Sequence, residues 1–122
     1  MAPALGQDED ASITPADKAQ AVSRANTFIG SGLSDPQVLI VGENYATVSY
    51  AEDHCDHKRG LWFRMLAAMV GDANGTKFFE GIAIGRAKLA DLENTKSQIQ
   101  ICESFWGFYG KGSKQLFDGA LE

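Results

Sequence analysis

The clearest hydrophobic pattern in the chain is a helical stripe that begins near residue 14. Thr14 precedes Pro15 and stands three positions before Asp17, as in a capping box that satisfies the free N–H groups of a first helical turn. Apolar residues then recur three or four positions apart as far as Leu33. The pattern predicts an amphipathic helix that ends at the glycines of positions 30 and 32.

The pattern changes to short apolar runs after Asp35-Pro36, which we expect to prevent the helix from resuming. Residues 38–41 are rich in β-branched side chains, residues 42–44 have the composition of a turn, and residues 45–50 alternate along the chain. Together these features predict a β-hairpin over 38–50.

The apolar segment 60–70 fits two structures. A helix would give it one apolar face, whereas a strand would give it two, as in a sheet that is covered on both sides. The turn signal of residues 71–76 and the strand-like run that follows favour a second hairpin, in which 60–70 pairs with 77–85. From Arg86 the apolar positions return to helical spacing, although residues 97–109 also fit a strand.

These elements predict one α+β domain, with residues 1–13 as an acidic lead-in and residues 14–122 as the globular part. We expect the N-terminal helix to pack on an antiparallel sheet of two hairpins, with a C-terminal helical or mixed segment completing the core. Leu116-Phe117 is expected to pack onto that core.

Composition and charge restrict the partners of the protein. The 122 residues are 44% apolar and 22% charged, as in ordinary globular proteins, and the net charge is −5. This charge argues against nucleic acid and against an anionic membrane as partners. No apolar run reaches the roughly 18 residues of a membrane span. We therefore expect a soluble protein, cytoplasmic unless a signal peptide was removed before export, whose partner is another protein with a basic patch.

The run Asp53-His54-Cys55-Asp56-His57 contains both histidines of the chain. Two imidazoles three positions apart could bind Zn²⁺ with a carboxylate, which makes His54 and His57 candidate metal ligands. The competing interpretation is a solvated polar connection between two apolar elements, favoured by the alternating charges and by the cations Lys58 and Arg59. We favour the polar connection and expect no cofactor.

The two cysteines, Cys55 and Cys102, allow two states. In an oxidising compartment a disulfide between them would stabilise the fold, whereas in a cytosol both would remain thiols. Cys55 also lies beside His54 and near two cations, which would activate a nucleophilic thiol. Catalytic Cys–His pairs usually come from separate rigid elements, so this third interpretation has little support.

Four aromatic residues stand within the five positions 105–109 and are followed by glycines. Such a group either packs in the core or anchors a partner. If it anchors a partner, we expect Trp106, Phe108 and Tyr109 to make the contacts.

No catalytic constellation is recognisable, so we lean against an enzyme. The leading hypothesis is a small acidic binding protein, such as an inhibitor, an immunity-type, a chaperone-like or an assembly protein, which acts through protein–protein contacts. Self-association as a homodimer would use the same contacts. The alternative is a small-ligand-binding or metal-dependent enzymatic domain with His54, Asp56 and His57 at the mouth of a pocket.

Overall fold

The computed structural model describes residues 13–122, and within that range it contains five α-helices and no β-strand. The helices are α1 (Pro15–Ile29), α2 (Asp35–His54), α3 (Leu61–Ala73), α4 (Gly75–Thr95) and α5 (Gln98–Tyr109). The predicted α+β class is therefore wrong, because both expected hairpins are helical. The acidic lead-in lies outside the described residues except for Ile13.

Three of the helices begin with the same capping arrangement. The N-cap hydroxyl accepts a hydrogen bond from the backbone N–H three positions later, and the side chain at that later position accepts one from the N-cap N–H. The pairs are Thr14 with Asp17, Ser34 with Gln37, and Ser97 with Gln100. The first pair confirms the predicted start of the N-terminal helix.

Pro36 lies in the first turn of α2, where its missing N–H leaves no hydrogen bond unmade. The N-terminal helix does not resume after Ile29, as expected, but Asp35-Pro36 begins a new helix where a β-hairpin was predicted. Ser34 ends the preceding loop and Pro36 helps to begin the next helix, which runs on to His54.

The most extensive contact between the described helices, that of α2 with α4, depends on glycines. A Cβ atom on Gly42 would lie 2.3 Å from the carbonyl oxygen of Phe78, and one on Gly81 would lie 2.3 Å from that of Leu39. Gly85 approaches the backbone of α2 in the same way. The sequence pattern assigned these glycines to a turn and a strand, whereas they allow two helix backbones to touch.

The segment 60–70 adopts its helical alternative. Residues Trp62, Phe63, Leu66, Ala67 and Val70 of α3 are buried, at the spacing of one helix face. They join the buried faces of α2 and α5 in a single core. Within residues 13–122, no helix has the length and hydropathy needed to cross a bilayer.

The C-terminal segment after α5 returns to the core without a further helix. Phe117 and Leu121 are buried, whereas Leu116 is exposed, so the predicted packing of Leu116-Phe117 is confirmed for the second residue only. Lys58 and Glu122 exchange two backbone hydrogen bonds, N to O, of 3.0 and 2.7 Å. These bonds hold the loop after α2 against residue 122. That loop carries the second half of the histidine-rich run, as we call residues 53–57.

Candidate functional site

A disulfide joins the two most distinctive segments of the sequence. Cys55, the C-cap residue of α2, is bonded to Cys102 in α5, and their Cα atoms are 5.4 Å apart. Of the two states that the sequence allowed, the structure has the disulfide, and neither cysteine is free. The interpretation of Cys55 as a nucleophilic thiol is therefore wrong.

An open groove of about 750 Å³ surrounds this bond, and we call it the disulfide groove. It is lined by the end of α2, the loop that follows and one face of α5: His54, Cys55, Asp56, His57, Gln98, Ile99, Cys102, Glu103 and Trp106. The α5 residues share a face because they lie three or four positions apart. The histidine-rich run and part of the aromatic group, which are about 50 positions apart in the sequence, thus form one surface.

The two histidine rings pack against different aromatic partners. The ring of His54 lies 4.5 Å, centroid to centroid, from that of Tyr50, whereas His57 stacks on Trp106 at 4.7 Å. Among residues 13–122, no group of three or more His, Cys, Asp or Glu side chains is arranged to hold a metal ion. The geometry therefore gives no support to a metal bound by His54 and His57.

Two contacts besides the disulfide fix the shape of the groove. The side-chain amide of Gln98 donates a hydrogen bond of 2.6 Å to the carbonyl oxygen of His54, which joins α5 to the end of α2 a second time. The stack on His57 restricts the indole of Trp106. The surface is therefore largely formed before any ligand arrives.

Among the described residues that line the groove, the carboxylates are Asp56 and Glu103, and none is a lysine or an arginine. Asp56 has a φ of 56°, a left-handed conformation that Asp tolerates better than most residues. The remaining lining is largely apolar or aromatic, with Ile99 72% exposed and Trp106 42% exposed. Such a surface suits a ligand that is partly apolar and partly cationic.

The three residues predicted as partner contacts do not form one surface. Trp106 lines the disulfide groove, but Phe108, although exposed, lines a different depression between α2, α4 and α5. Tyr109 is half-buried, and its phenol donates a hydrogen bond to the Oδ1 atom of Asn44. Burial raises the pKa of the Tyr109 phenol above its usual value, and nearby Glu43 adds to the rise while a hydrogen bond with Thr47 opposes it.

Ile99 and Gln98 are groove residues that the sequence reasoning missed. The signal that could have found them is the capping pair Ser97 and Gln100, which sets the start of α5. Once that helix is recognised, Ile99 falls on the same face as Cys102 and Trp106. The helical alternative for this segment already places these three residues on one face, but nothing in the sequence marks that face as exposed rather than buried.

The residues described thus form a small helical domain in which a disulfide holds an apolar surface with acidic groups at its side. No family model, curated protein or solved structure matches this chain. The groove itself is therefore the basis for a functional proposal.

Proposed function

We propose that this protein is a non-enzymatic binding protein whose disulfide groove takes a segment of another protein that presents Lys or Arg beside apolar side chains. The observation that carries the proposal is the exposure of Ile99 and Trp106 on one face of α5, next to the carboxylates of Asp56 and Glu103. Apolar patches with polar groups around them are typical of interaction sites, and Trp is among the residues that contribute most to binding energy.

The rigidity of the groove supports the same function. Binding is weaker when side chains must become ordered, because each immobilised side chain costs roughly 0.5–1.5 kcal/mol of binding free energy. Trp106 is already stacked on His57, and the disulfide already fixes α5 to the end of α2. A partner would therefore bind an indole whose orientation is already largely fixed, so little of this ordering cost would remain.

The charges define the partner further. A basic segment would approach a protein of net charge −5 and then meet Asp56 and Glu103 in the groove itself. Complementary charge increases the rate of association and discriminates against acidic segments. The partner predicted from composition, a protein with a basic patch, is thus retained in the proposal with a defined docking site.

We further propose that the protein works in an oxidising compartment, because disulfides persist there and are rare in the cytosol. This replaces the cytoplasmic expectation. The alternative function, a small-ligand or metal-dependent enzymatic domain, has one observation in its favour, since His54, Asp56 and His57 do line the groove. Among residues 13–122, no three His, Cys, Asp or Glu side chains are arranged to hold a metal ion, so the binding function is preferred.

The test uses two dye-labelled peptides of equal length, one of alternating Lys and Leu and one of alternating Glu and Leu, titrated into the protein by fluorescence anisotropy. We expect the Lys–Leu peptide to bind and the Glu–Leu peptide to bind at least about tenfold more weakly. Trp106→Ala and Ile99→Ala should each weaken the Lys–Leu peptide by about tenfold. The matched control is Phe79→Ala, which removes an apolar side chain about as exposed as Ile99 but outside the groove, and should leave affinity unchanged.

Equal affinity of the Lys–Leu peptide for wild type, Trp106→Ala and Ile99→Ala would show attraction by net charge alone and would refute the proposal. So would sedimentation as a homodimer that Trp106→Ala dissociates, because a second copy of the chain would then occupy the groove.

A further inference from the structure

The first turn of α5 has little buried surface of its own. Residues 93–100, which include the end of α4 and the start of α5, are all exposed, and Ile101 is the first buried residue of α5. Two links join this region to the end of α2. One is the disulfide from Cys102 to Cys55, and the other is the 2.6 Å hydrogen bond from the Gln98 amide to the carbonyl oxygen of His54. The position of the first turn therefore depends strongly on the disulfide.

The second half of α5 is held by contacts that do not involve the disulfide. Phe105 is buried, and its ring lies 5.9 Å, centroid to centroid, from that of Tyr50. The backbone N–H of Leu121 donates a hydrogen bond of 3.0 Å to the carbonyl oxygen of Tyr109. Segments with few buried contacts open locally at a lower free-energy cost than the core does. Loss of the disulfide would therefore free the first turn, which carries Ile99, and leave the second half packed.

The disulfide is also accessible to a reductant. Both cysteines are half-buried, and both line the open disulfide groove. Exposed disulfides are more easily reduced than buried ones, and they include the bonds that proteins use for regulation. A small thiol that enters the groove would therefore reach the sulfur atoms.

We propose that the Cys55–Cys102 disulfide is a reversible redox switch of the disulfide groove, so that the oxidised protein binds its basic and apolar partner and reduction by a dithiol releases that partner. This regulation acts on the groove and therefore rests on the proposed function. Its structural basis is the position of Ile99, which lies on the first turn of α5 and is exposed in the groove. When that turn moves away from α2, the groove loses one of its two exposed apolar contacts and keeps Trp106.

The reduction is a thiol–disulfide exchange in two steps. A thiolate of the dithiol attacks one cysteine sulfur, and the S–S bond breaks with its electron pair on the other sulfur, which takes a proton from water. The second thiolate of the reductant then attacks the mixed disulfide and displaces the remaining cysteine sulfur, which is also protonated. The protein gains two electrons and two protons, and the dithiol loses them and becomes a cyclic disulfide. Oxidised glutathione, which is reduced to two thiols, restores the bond.

Binding and reduction are thermodynamically linked. If the partner binds the oxidised protein more tightly than the reduced protein, then a saturating partner must protect the disulfide by the same factor. With the Lys–Leu peptide as the probe, the ratio of dithiol to its disulfide at half-reduction should rise by the ratio of the two affinities. A ratio that the peptide does not change would overturn the switch.

The first arm of the test needs no peptide. Hydrogen exchange of the oxidised and reduced wild type, read by mass spectrometry, should show exchange about tenfold faster at amides 100–103 after reduction and no change at 106–109. The control for general destabilisation is oxidised Gly81→Ala, in which the new Cβ meets the carbonyl oxygen of Leu39 outside the groove, and which should not show this selective increase. An equal increase over all of α5, or loss of the helical circular dichroism on reduction, would overturn a local switch.

The second arm measures the affinity of the Lys–Leu peptide by fluorescence anisotropy. The reduced wild type should bind about tenfold more weakly than the oxidised form, as expected for Ile99→Ala, and reoxidation with oxidised glutathione should restore the affinity. Cys55→Ser/Cys102→Ser should match the reduced wild type and should not respond to the dithiol, whereas oxidised Gly81→Ala should bind like the oxidised wild type.

The outcomes of the second arm separate the switch from the proposed function. Equal affinity of the oxidised and reduced wild type would overturn the switch and leave the groove as a binding site. Weaker binding by oxidised Gly81→Ala to the same extent as by the reduced wild type would also overturn it, because general instability would then explain the loss. No binding by the oxidised wild type would refute the proposed function, and the switch with it.

Discussion

Burial gives neighbouring aromatic residues of α5 different roles. Trp106 is exposed in the disulfide groove, whereas Tyr109 contacts Phe105 and Phe117 and donates a hydrogen bond to Asn44. The sequence analysis places both residues in one candidate surface, because the buried and exposed members of an aromatic group cannot be distinguished without a known helix register. A helix turns by about 100° per residue, so Trp106 and Tyr109, three positions apart, point about 60° apart. This difference brings Tyr109 against Asn44 and Phe117 and leaves Trp106 in the disulfide groove.

The half-buried phenol of Tyr109 predicts a stability change at high pH. Its pKa is raised in the folded protein relative to the unfolded chain, because burial disfavours the charged phenolate. The contribution of the neutral phenol to the free energy of unfolding is therefore complete below its ordinary pKa of about 10. It is lost as the pH rises through the pKa that the phenol has in the folded protein. Denaturant unfolding at a series of alkaline pH values should show a decrease in the free energy of unfolding that is less steep in Tyr109→Phe. Parallel profiles for the two proteins would contradict this account.

At the scale of the element, small residues decide the architecture. The apolar run 38–41 and the glycines at positions 42 and 81 have the composition of strands and turns, yet they belong to α2 and α4. Glycine weakens an isolated helix by about 1 kcal/mol, and only the contact with the partner helix offsets this cost. Sequence composition alone does not contain that tertiary contact, so the two hairpins were predicted instead.

The capping signals, in contrast, were present in the sequence. Thr14 with Asp17 correctly predicted the start of α1. The pairs Ser34 with Gln37 and Ser97 with Gln100 have the same form and mark α2 and α5. The signal of the first pair is easily missed, because Pro36 has the same identity in a first helical turn as in a segment that ends a helix.

The contact between α2 and α4 predicts that Gly81→Ala will destabilise the protein although alanine is the better helix former. The added Cβ would meet the carbonyl oxygen of Leu39 at 2.3 Å, so we expect a loss of about 1–3 kcal/mol in the free energy of unfolding. The control is Gly107→Ala in α5, where nothing lies within 4 Å, and which should stabilise by up to about 1 kcal/mol. Urea unfolding of both variants gives the comparison, and a Gly81→Ala protein as stable as wild type would contradict the proposed packing.

At the scale of the whole molecule, the disulfide connects the fold to its candidate site. Cys55 and Cys102 are 47 positions apart, and their bond joins the end of α2 to α5. The sequence allowed this pairing but did not decide it, because oxidation depends on the compartment. The disulfide groove could not be predicted either, because it forms only where the loop after α2 contacts α5. The sequence pattern does not contain that tertiary contact.

Removal of the disulfide should lower the free energy of unfolding by about 2–4 kcal/mol, mainly because the unfolded chain regains conformational freedom. Denaturant unfolding with and without reductant measures this difference in the wild type. The variant Cys55→Ser/Cys102→Ser should match the reduced wild type and should not respond to reductant. Identical unfolding midpoints for the oxidised and reduced wild type would show that the bond does not contribute to stability.

The central claim is that the disulfide groove binds a basic and apolar segment, and backbone amide chemical-shift mapping with the Lys–Leu peptide tests it most directly. The account predicts that the shifted amides cluster at residues 54–57 and 98–106, that they saturate with a single affinity, and that the cluster disappears in Trp106→Ala. Shifts spread over acidic residues throughout the surface, or centred on another face and unchanged in Trp106→Ala, would contradict the claim.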